Sequence, residues 1–193
     1  MADLIQGHVR HPAVGELVCG DGHLVYQGDT FVLVVVSDGL GHGVSASDAT
    51  KALLACVEEQ PGLPPLDLIQ ACHQRLKGTC GAAASFVRLE AEQGTMIHAG
   101  VGNVEARLIT SGKVQRPCPA YGVLGERVRK FTTETFPYQA GDLLVVHTDG
   151  ISDRFELKPE ARHRDPQALA RQLAHEHGKD YDDQLLLIVK EAP

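Results

Sequence analysis

Two apolar segments of this chain end in nearly the same way. Residues 32–39 read VLVVVSDG and residues 144–150 read LVVHTDG, so each runs from apolar residues into Ser or Thr, then Asp and Gly. Continuous β-branched runs of this kind are typical of strands buried on both faces. An aspartate at the end of such a strand lies on rigid backbone, and the following glycine allows a sharp turn that leaves its carbonyl accessible. The pattern therefore predicts two buried strands that present Asp38 and Asp149 at the rim of a sheet.

Further aspartates flank other predicted strands. Asp182 and Asp183 directly precede the apolar run 184–190, and Asp21 lies in the sequence CGDG at residues 19–22. Carboxylates gathered at one rim repel each other and raise their own pKa values unless a cation neutralises them. Oxygen ligands favour Mg²⁺ or Mn²⁺ over zinc, and two such ions can share a bridging carboxylate and activate a water for attack on phosphorus. These aspartates therefore indicate a divalent-metal site.

The order of the predicted elements favours an α+β layered fold. Strands are predicted at 30–37, 80–89, 95–100, 103–110, 113–116, 129–136, 143–148 and 184–190, and helices at about 47–60, from Pro65 to about 78, and at 166–177. Runs of adjacent strands with separate helices are typical of α+β layers and not of an alternating parallel fold. Residues 117–127 show no periodicity and are interpreted as a loop over one end of the sheets. No linker or repeat divides the 193 residues, so one domain over 1–193 is expected.

Composition excludes several classes of function. The net charge of −7 argues against a nucleic-acid partner, which requires a basic surface. The five cysteines are scattered without a C-x-x-C pair, so neither a disulfide framework nor a zinc ribbon is indicated. The first residues lack the order of a signal peptide and no apolar run is long enough to cross a bilayer. We therefore expect a cytoplasmic protein with no membrane partner.

The glycine-rich segment after Asp38 allows a second interpretation. A glycine loop between a strand and a helix can bind a dinucleotide, but the G-x-G-x-x-G spacing fails at Val44, and Asp38 would repel an anion. His42 in this segment is either a proton donor or a solvated loop residue. His98 and His147 fall within predicted strands and are interpreted as packed side chains.

Six segments, in order along nearly the whole chain, resemble motifs of the PPM (PP2C-type) serine/threonine phosphatases in their SpoIIE-like branch. They are Cys19-Gly20-Asp21, Ser37-Asp38-Gly39-Leu40-Gly41-His42-Gly43, Gly81-Ala82-Ala83-Ala84-Ser85, His98-Ala99-Gly100-Val101-Gly102-Asn103, His147-Thr148-Asp149-Gly150-Ile151-Ser152-Asp153 and Asp182-Asp183-Gln184. The set is far more specific than any one member. The resemblance implies a four-layer α-β-β-α sandwich of two antiparallel sheets flanked by helices.

The resemblance also implies a site that holds two Mn²⁺ or Mg²⁺ ions. It assigns metal binding to Asp21, Asp38, Gly39, Asp149 and Asp182, and catalysis to Asp38, Asp149 and Asp182. Asp38 would bridge the two ions and Gly39 would offer its carbonyl, while Asp21 would bind directly or through water. Gly102 and Asn103 would support the site from a strand end.

Some positions depart from the pattern of many family members. Leu40 stands where these members have a histidine, and Arg10 does not match their phosphate-binding arginine. Asp183 stands where many have Asn, which makes Asp182 the preferred ligand of the pair. Residues 117–129 correspond to the family's variable flap, which would read the substrate.

The resemblance implies a metal-dependent protein serine/threonine phosphatase that acts through a metal-activated water. The compact length implies substrates of the stressosome type, phosphorylated on RsbR- or RsbS-like scaffold proteins. Two alternatives stay open: a phosphatase of an anti-sigma-factor antagonist (RsbV/SpoIIAA-like), and a catalytically silent binding module in a signalling complex. A silent module has no need for a self-repelling group of carboxylates, which argues against the last of these.

Overall fold

The computed structural model describes residues 3–192. The elements are β1 (Leu4–His11), β2 (Asp21–Gln27), β3 (Val32–Gly39), α1 (Gly43–Glu59), α2 (Pro65–Arg75), β4 (Ala82–Glu90), β5 (Thr95–Val101), β6 (Glu105–Ile109), β7 (Val114–Gln115), β8 (Glu134–Pro137), β9 (Leu143–His147), α3 (Pro166–His177) and β10 (Gln184–Glu191). Short 3-10 turns lie at Ala91–Gln93 and Pro159–His163. No helix of this part of the chain has the length and apolar character needed to cross a membrane.

The strands form two five-stranded antiparallel sheets. The first has the order β1-β10-β9-β6-β7 and the second the order β2-β3-β4-β5-β8. Helices α1 and α2 pack on the outer face of the second sheet, and α3 packs on the outer face of the first. The inner faces of the two sheets share an apolar core. This arrangement confirms the predicted α-β-β-α sandwich.

The central strands contribute to two apolar layers each, which explains why their sequences are apolar throughout. Val34 and Val36 of β3 point into the core between the sheets, whereas Leu33 and Val35 pack against α1 and α2. Strand β10 divides in the same way, with alternate residues facing the second sheet or α3. Because successive side chains of a strand point to opposite faces, a strand in a middle layer must be apolar at every position.

The differences from the predicted elements lie mainly at sheet edges. Strands β1 and β2 were not predicted, and the strand predicted over 129–136 is confined to β8. All three are edge strands. An edge strand has one hydrogen-bonded neighbour and keeps polar side chains, so its sequence carries a weak pattern. Helix α1 also begins four residues earlier than predicted, at Gly43.

Candidate active site

The predicted aspartates meet at one end of the two sheets. Asp38 is the penultimate residue of β3 and pairs directly with Asp21 of β2. Asp149 follows β9 and Asp182 precedes β10, and because these strands are antiparallel neighbours, both aspartates emerge at the same edge. The hydroxyl of Thr148 donates a hydrogen bond to Asp21 Oδ2 at 2.7 Å and so joins the edges of the two sheets. We call Asp21, Asp38, Asp149 and Asp182 the carboxylate rim.

The electrostatics of the rim are those of crowded like charges. Burial raises the pKa of Asp38 to about 9, and repulsion from Asp21, Asp149, Asp182 and Asp183 adds to this. Burial also raises the pKa of Asp21 to about 7, although its hydrogen bond from Thr148 acts in the opposite direction. The pKa of Asp182 is raised by burial and by the neighbouring Asp149. The expected mutual repulsion is therefore present in the fold.

The donor set of the rim fits a hard divalent cation. All four side chains offer carboxylate oxygens, which Mg²⁺ and Mn²⁺ prefer. Within residues 3–192, the Asp38 carboxylate accepts no hydrogen bond from the protein, so its oxygens are free to bind an ion. No three His, Cys, Asp or Glu side chains of that range lie close enough together to hold a metal ion. The fit of the rim to a divalent cation therefore rests on the chemistry of its carboxylate oxygens and on their mutual repulsion.

Thr148 has a role that the sequence did not predict. Besides donating to Asp21, its hydroxyl accepts a hydrogen bond from the backbone N–H of Leu185 at 3.0 Å. It is fully buried, so both hydrogen bonds are shielded from water. The residue before the aspartate is Ser or Thr at both strand ends, and this repeated hydroxyl is the sequence feature that could have indicated the role of Thr148.

Asp149 is held by two further side chains. Asn103 Nδ2 donates to Asp149 Oδ2 at 2.6 Å, which is the supporting contact expected from the family resemblance. Gly102 before it has a φ of 90°, and a Cβ there would overlap Ala83. Lys179, which was not predicted, donates from Nζ to the backbone oxygen of Asp149 at 2.5 Å. The carboxylate of Asp149 is therefore oriented, in contrast to that of Asp38.

Asp183 has a structural task that separates it from its neighbour Asp182. Its Oδ1 accepts from the backbone N–H of Ala13 and its Oδ2 from that of Gly20, both at 2.9 Å. Both oxygens thus fasten the loop between β1 and β2 beside the rim. Because both carboxylate oxygens of Asp183 already accept backbone hydrogen bonds, Asp182 is favoured as the metal ligand of the pair.

The glycines after the two aspartates are required for close packing. We expected each to allow a sharp turn. Gly150 lies in such a turn, closed by a hydrogen bond of 3.1 Å from the N–H of Ile151 to the carbonyl of Thr148, whereas Gly39 is the last residue of β3. Neither glycine has a positive φ. A Cβ on Gly39 would overlap the backbone oxygen of Ala46 in α1, and one on Gly150 would overlap the backbone oxygen of Asp183. The predicted turn is thus present at Gly150 and absent at Gly39, and close approach of a second backbone excludes a side chain at both positions.

The surroundings of His98, His147 and His42 show which of these side chains are packed in the interior and which is exposed. His98 is buried with its Nε2 3.1 Å from the hydroxyl oxygen of Ser85, and His147 is buried with its Nδ1 3.0 Å from the Thr148 carbonyl. Both are packed side chains, as interpreted. His42 is exposed, with Nδ1 2.6 Å from Glu16 Oε1. The dinucleotide interpretation of its glycine loop fails, since both sheets are antiparallel.

The segment 117–129, which includes the loop predicted over 117–127, is anchored to the second sheet. Leu124 is fully buried and exchanges two backbone hydrogen bonds with Ala82, of 2.8 and 3.1 Å. A cavity of about 360 Å³ lies between this segment and Asp38, and Tyr121 is among its lining residues. A second cavity, of about 420 Å³, is lined by Asp149 together with the residues that begin the segment. The segment thus borders the rim on the side where a substrate would lie.

Comparisons with known proteins agree with this geometry. The profile of the family described as Stage II sporulation protein E (SpoIIE) matches residues 28–193. The phosphoserine phosphatase RsbX of Bacillus subtilis (strain 168) is 32% identical over 139 residues, which cover 72% of this chain and 70% of RsbX. A crystal structure of RsbX in complex with magnesium matches with a TM-score of 0.83 at 26% identity, covering 98% of this chain and 96% of that one.

A further match is a solved structure described as the bacterial stressosome, a modular system adapted to control secondary messenger signalling. Its TM-score is 0.91 at 28% identity, and the match covers 97% of this chain and 100% of that one. The residues matched by the family profile include three of the four rim aspartates, and Asp21 lies before them.

Proposed function

Since this chain belongs to the SpoIIE family and is a PP2C-type protein phosphatase, we propose that it removes phosphate from phosphoserine or phosphothreonine of a partner protein in a reaction that depends on Mn²⁺ or Mg²⁺. The observation that carries the metal dependence is the direct pairing of Asp38 with Asp21 in a rim of four carboxylates. Like charges placed directly opposite each other on neighbouring strands destabilise a sheet. Such a rim is therefore justified by a function that needs cations.

We propose that Asp21, Asp38, Asp149, Asp182 and the Gly39 carbonyl hold two ions. When bound, the ions would offset the charge on the phosphoryl oxygens and activate the attacking water. Asp38 would be shared between them, because its carboxylate makes no competing hydrogen bond in the described residues. Asn103 fixes the orientation of Asp149, and Thr148 fixes that of Asp21. The RsbX structure with magnesium supports a divalent ion in this fold.

We propose phosphorylated stressosome scaffold proteins of the RsbR and RsbS type as the substrates, encountered in the cytoplasm. The identity with the phosphoserine phosphatase RsbX and the match to a stressosome structure support this choice. It also agrees with the negative net charge, since bound cations supply the positive charge that a phosphate substrate needs.

The test is release of phosphate from a stressosome-type scaffold protein that carries phosphoserine. We expect release by the wild-type protein with Mn²⁺, none with a chelator, and a loss of at least about a hundredfold in Asp38→Asn. Asp48→Asn is a matched control, because it makes the same substitution at an exposed position on α1. It should retain wild-type release.

The other outcomes separate the alternatives. Metal-dependent hydrolysis of a small aryl phosphate without release from the scaffold protein would keep the phosphatase and discard the partner. An anti-sigma-factor antagonist carrying phosphoserine would then be the next substrate to assay. Failure on every substrate would favour the silent binding module.

A further inference from the structure

The exposed apolar side chains of this protein are concentrated at the end that carries the carboxylate rim. Within residues 3–192, every large apolar side chain that is exposed lies in a loop at this end or, for Val44, in the first turn of α1, except Ile5 and Tyr26. Leu17 is 98% exposed and Tyr121 is 92% exposed. Single exposed apolar side chains are ordinary on a protein surface, but a contiguous group of them marks an interaction site.

Four separate segments contribute to this group. They supply Val14, Leu17 and Val18 from the β1–β2 loop, Leu40 and Val44 from the segment after Asp38, Tyr121 from the segment 117–129, and Tyr181 beside Asp182. We call these seven side chains the apolar collar. The two exceptions, Ile5 and Tyr26, lie towards the far ends of their strands from the rim.

Three contacts link neighbouring segments of the collar along the rim. The backbone N–H of Val14 donates to the carbonyl of Asp180, which places it beside Tyr181. Glu16, next to Leu17, contacts His42 in the loop between Leu40 and Val44. Leu40, Tyr121 and Asp38 line the same cavity. The collar therefore borders the rim from Tyr181 through the β1–β2 loop and Leu40 to Tyr121, beside the place where the phosphoryl group would bind.

The loops that carry the collar are held in place by hydrogen bonds. The two hydrogen bonds of Asp183 fix the β1–β2 loop at Ala13 and Gly20. Buried Leu124 fixes the segment that carries Tyr121. The apolar side chains are thus held outward in a defined arrangement, and a pre-organised surface loses little entropy when a partner binds.

We infer that the apolar collar is a docking surface for a folded phosphoprotein, and that it selects folded substrates over short phosphopeptides. This inference rests on the proposed function and names the kind of substrate that the same site takes. Only a globular surface can touch four separate segments while one of its residues reaches the rim. A net charge of −7 repels an anionic partner at long range, so apolar contact must supply much of the affinity.

The test compares three substrates: a folded scaffold protein carrying phosphoserine, a short synthetic peptide that spans the same phosphoserine, and a small aryl phosphate. For the wild-type protein we expect kcat/KM to be at least about a hundredfold higher on the folded protein than on the peptide. In the double variant Leu17→Ser/Val44→Ser this ratio should fall at least about tenfold, through a higher KM on the folded protein. Ile5→Ser is the matched control, an exposed apolar residue outside the collar, and should keep the wild-type ratio.

Several results would overturn the inference. One is a wild-type ratio near one, and another is a ratio that Leu17→Ser/Val44→Ser leaves unchanged. A wild-type dimer in sedimentation that becomes monomeric in the double variant would assign the collar to a second copy of this chain. Absence of hydrolysis of all three substrates, aryl phosphate included, would instead refute the proposed function, and the inference with it.

Discussion

The ends of β3 and β9 have almost the same sequence, yet their hydroxyl groups do different things. Ser37 at the end of β3 shares a hydrogen bond of 3.1 Å with Thr50, which fastens the strand to α1. Thr148 at the end of β9 donates across to Asp21 in the other sheet. One hydroxyl therefore joins a sheet to its helix, whereas the other joins the two sheets at the rim.

The aspartates that follow these two hydroxyl residues also differ in their hydrogen-bond partners. Asp149 is oriented by the amide of Asn103. Asp38 has no such partner within residues 3–192, and burial and repulsion raise its pKa to about 9. A repeated motif thus yields one oriented carboxylate and one without a hydrogen-bond partner in the described residues.

The largest expected effect is a loss of stability when the glycine that follows the aspartate at either strand end is replaced. Gly39→Ala and Gly150→Ala should each lower the free energy of unfolding by at least about 3 kcal/mol, because each new Cβ overlaps a backbone oxygen. Gly112→Ala is the control, since a Cβ there meets no atom within 4 Å. It should change stability by less than about 1 kcal/mol in urea unfolding. Equal effects at all three positions would show that the close packing is not as described.

The second prediction compares the stability changes that follow substitution of Asp38 and of Asp149. In the presence of a chelator at neutral pH, Asp38→Asn should raise the free energy of unfolding by on the order of 2 kcal/mol, because it removes a buried carboxyl group that can ionise in the unfolded state but not in the folded state. Asp149→Asn should raise it by less, since its carboxylate is already hydrogen bonded. Urea unfolding of both variants measures the difference. A lower stability of Asp38→Asn would contradict the description of Asp38 as a carboxyl group whose ionised form is disfavoured by burial and by its neighbours.

Orientation of Asp149 should matter for metal affinity. Asn103→Ala should weaken Mn²⁺ binding about tenfold in a calorimetric titration, as loss of an outer-shell partner does in other metal sites. Ser37→Ala is the matched variant at the other strand end, where the hydroxyl contacts α1 and no carboxylate. It should leave Mn²⁺ affinity unchanged. If the two variants lost the same affinity, the distinction between the two ends would not hold.

The smallest effect is a pH dependence away from the rim. Burial lowers the pKa of His98 to about 4 from its ordinary 6.5, so the folded state binds fewer protons than the unfolded state between these values. The stability that neutral His98 contributes is complete above pH 6.5 and is lost as the pH falls towards 4. His98→Gln keeps a partner for Ser85 but does not titrate. Its stability should therefore fall by about 1 kcal/mol less over that interval, measured by urea unfolding at several pH values.

The interior strands β3 and β9 and the aspartates at their ends could be predicted from the sequence, because the burial of a middle-layer strand on both faces leaves a clear pattern. A strand in a middle layer must be apolar at every position, so the polar residues that end β3 and β9 stand out. Helix α3 was predicted with its observed bounds, since Pro166 begins it and its apolar residues keep helical spacing. The four-layer arrangement came from the family resemblance and not from the pattern.

The remainder depends on contacts between residues that are distant in the sequence. The pairing of Asp21 with Asp38 needs β2, an edge strand with mixed polar and apolar residues. The link from Thr148 to Asp21 spans 127 positions. The roles of Lys179 and Asp183 likewise follow from chain ends brought together by the sheets. No local pattern carries such information, which explains why the rim aspartates were predicted, whereas the contacts of Thr148, Lys179 and Asp183 were missed.

The central claim is that the carboxylate rim binds divalent cations through Asp38. Its most direct test is the thermal unfolding midpoint of the wild-type protein and of Asp38→Asn, each with a chelator and with saturating Mn²⁺. Binding to the folded state alone stabilises it by about 2.7 kcal/mol at a hundred times the Kd, so the wild-type Tm should rise by several degrees. Asp38→Asn should begin from a higher Tm in the chelator and gain little from Mn²⁺. An equal Mn²⁺-induced rise in both proteins, or none in the wild type, would contradict the claim.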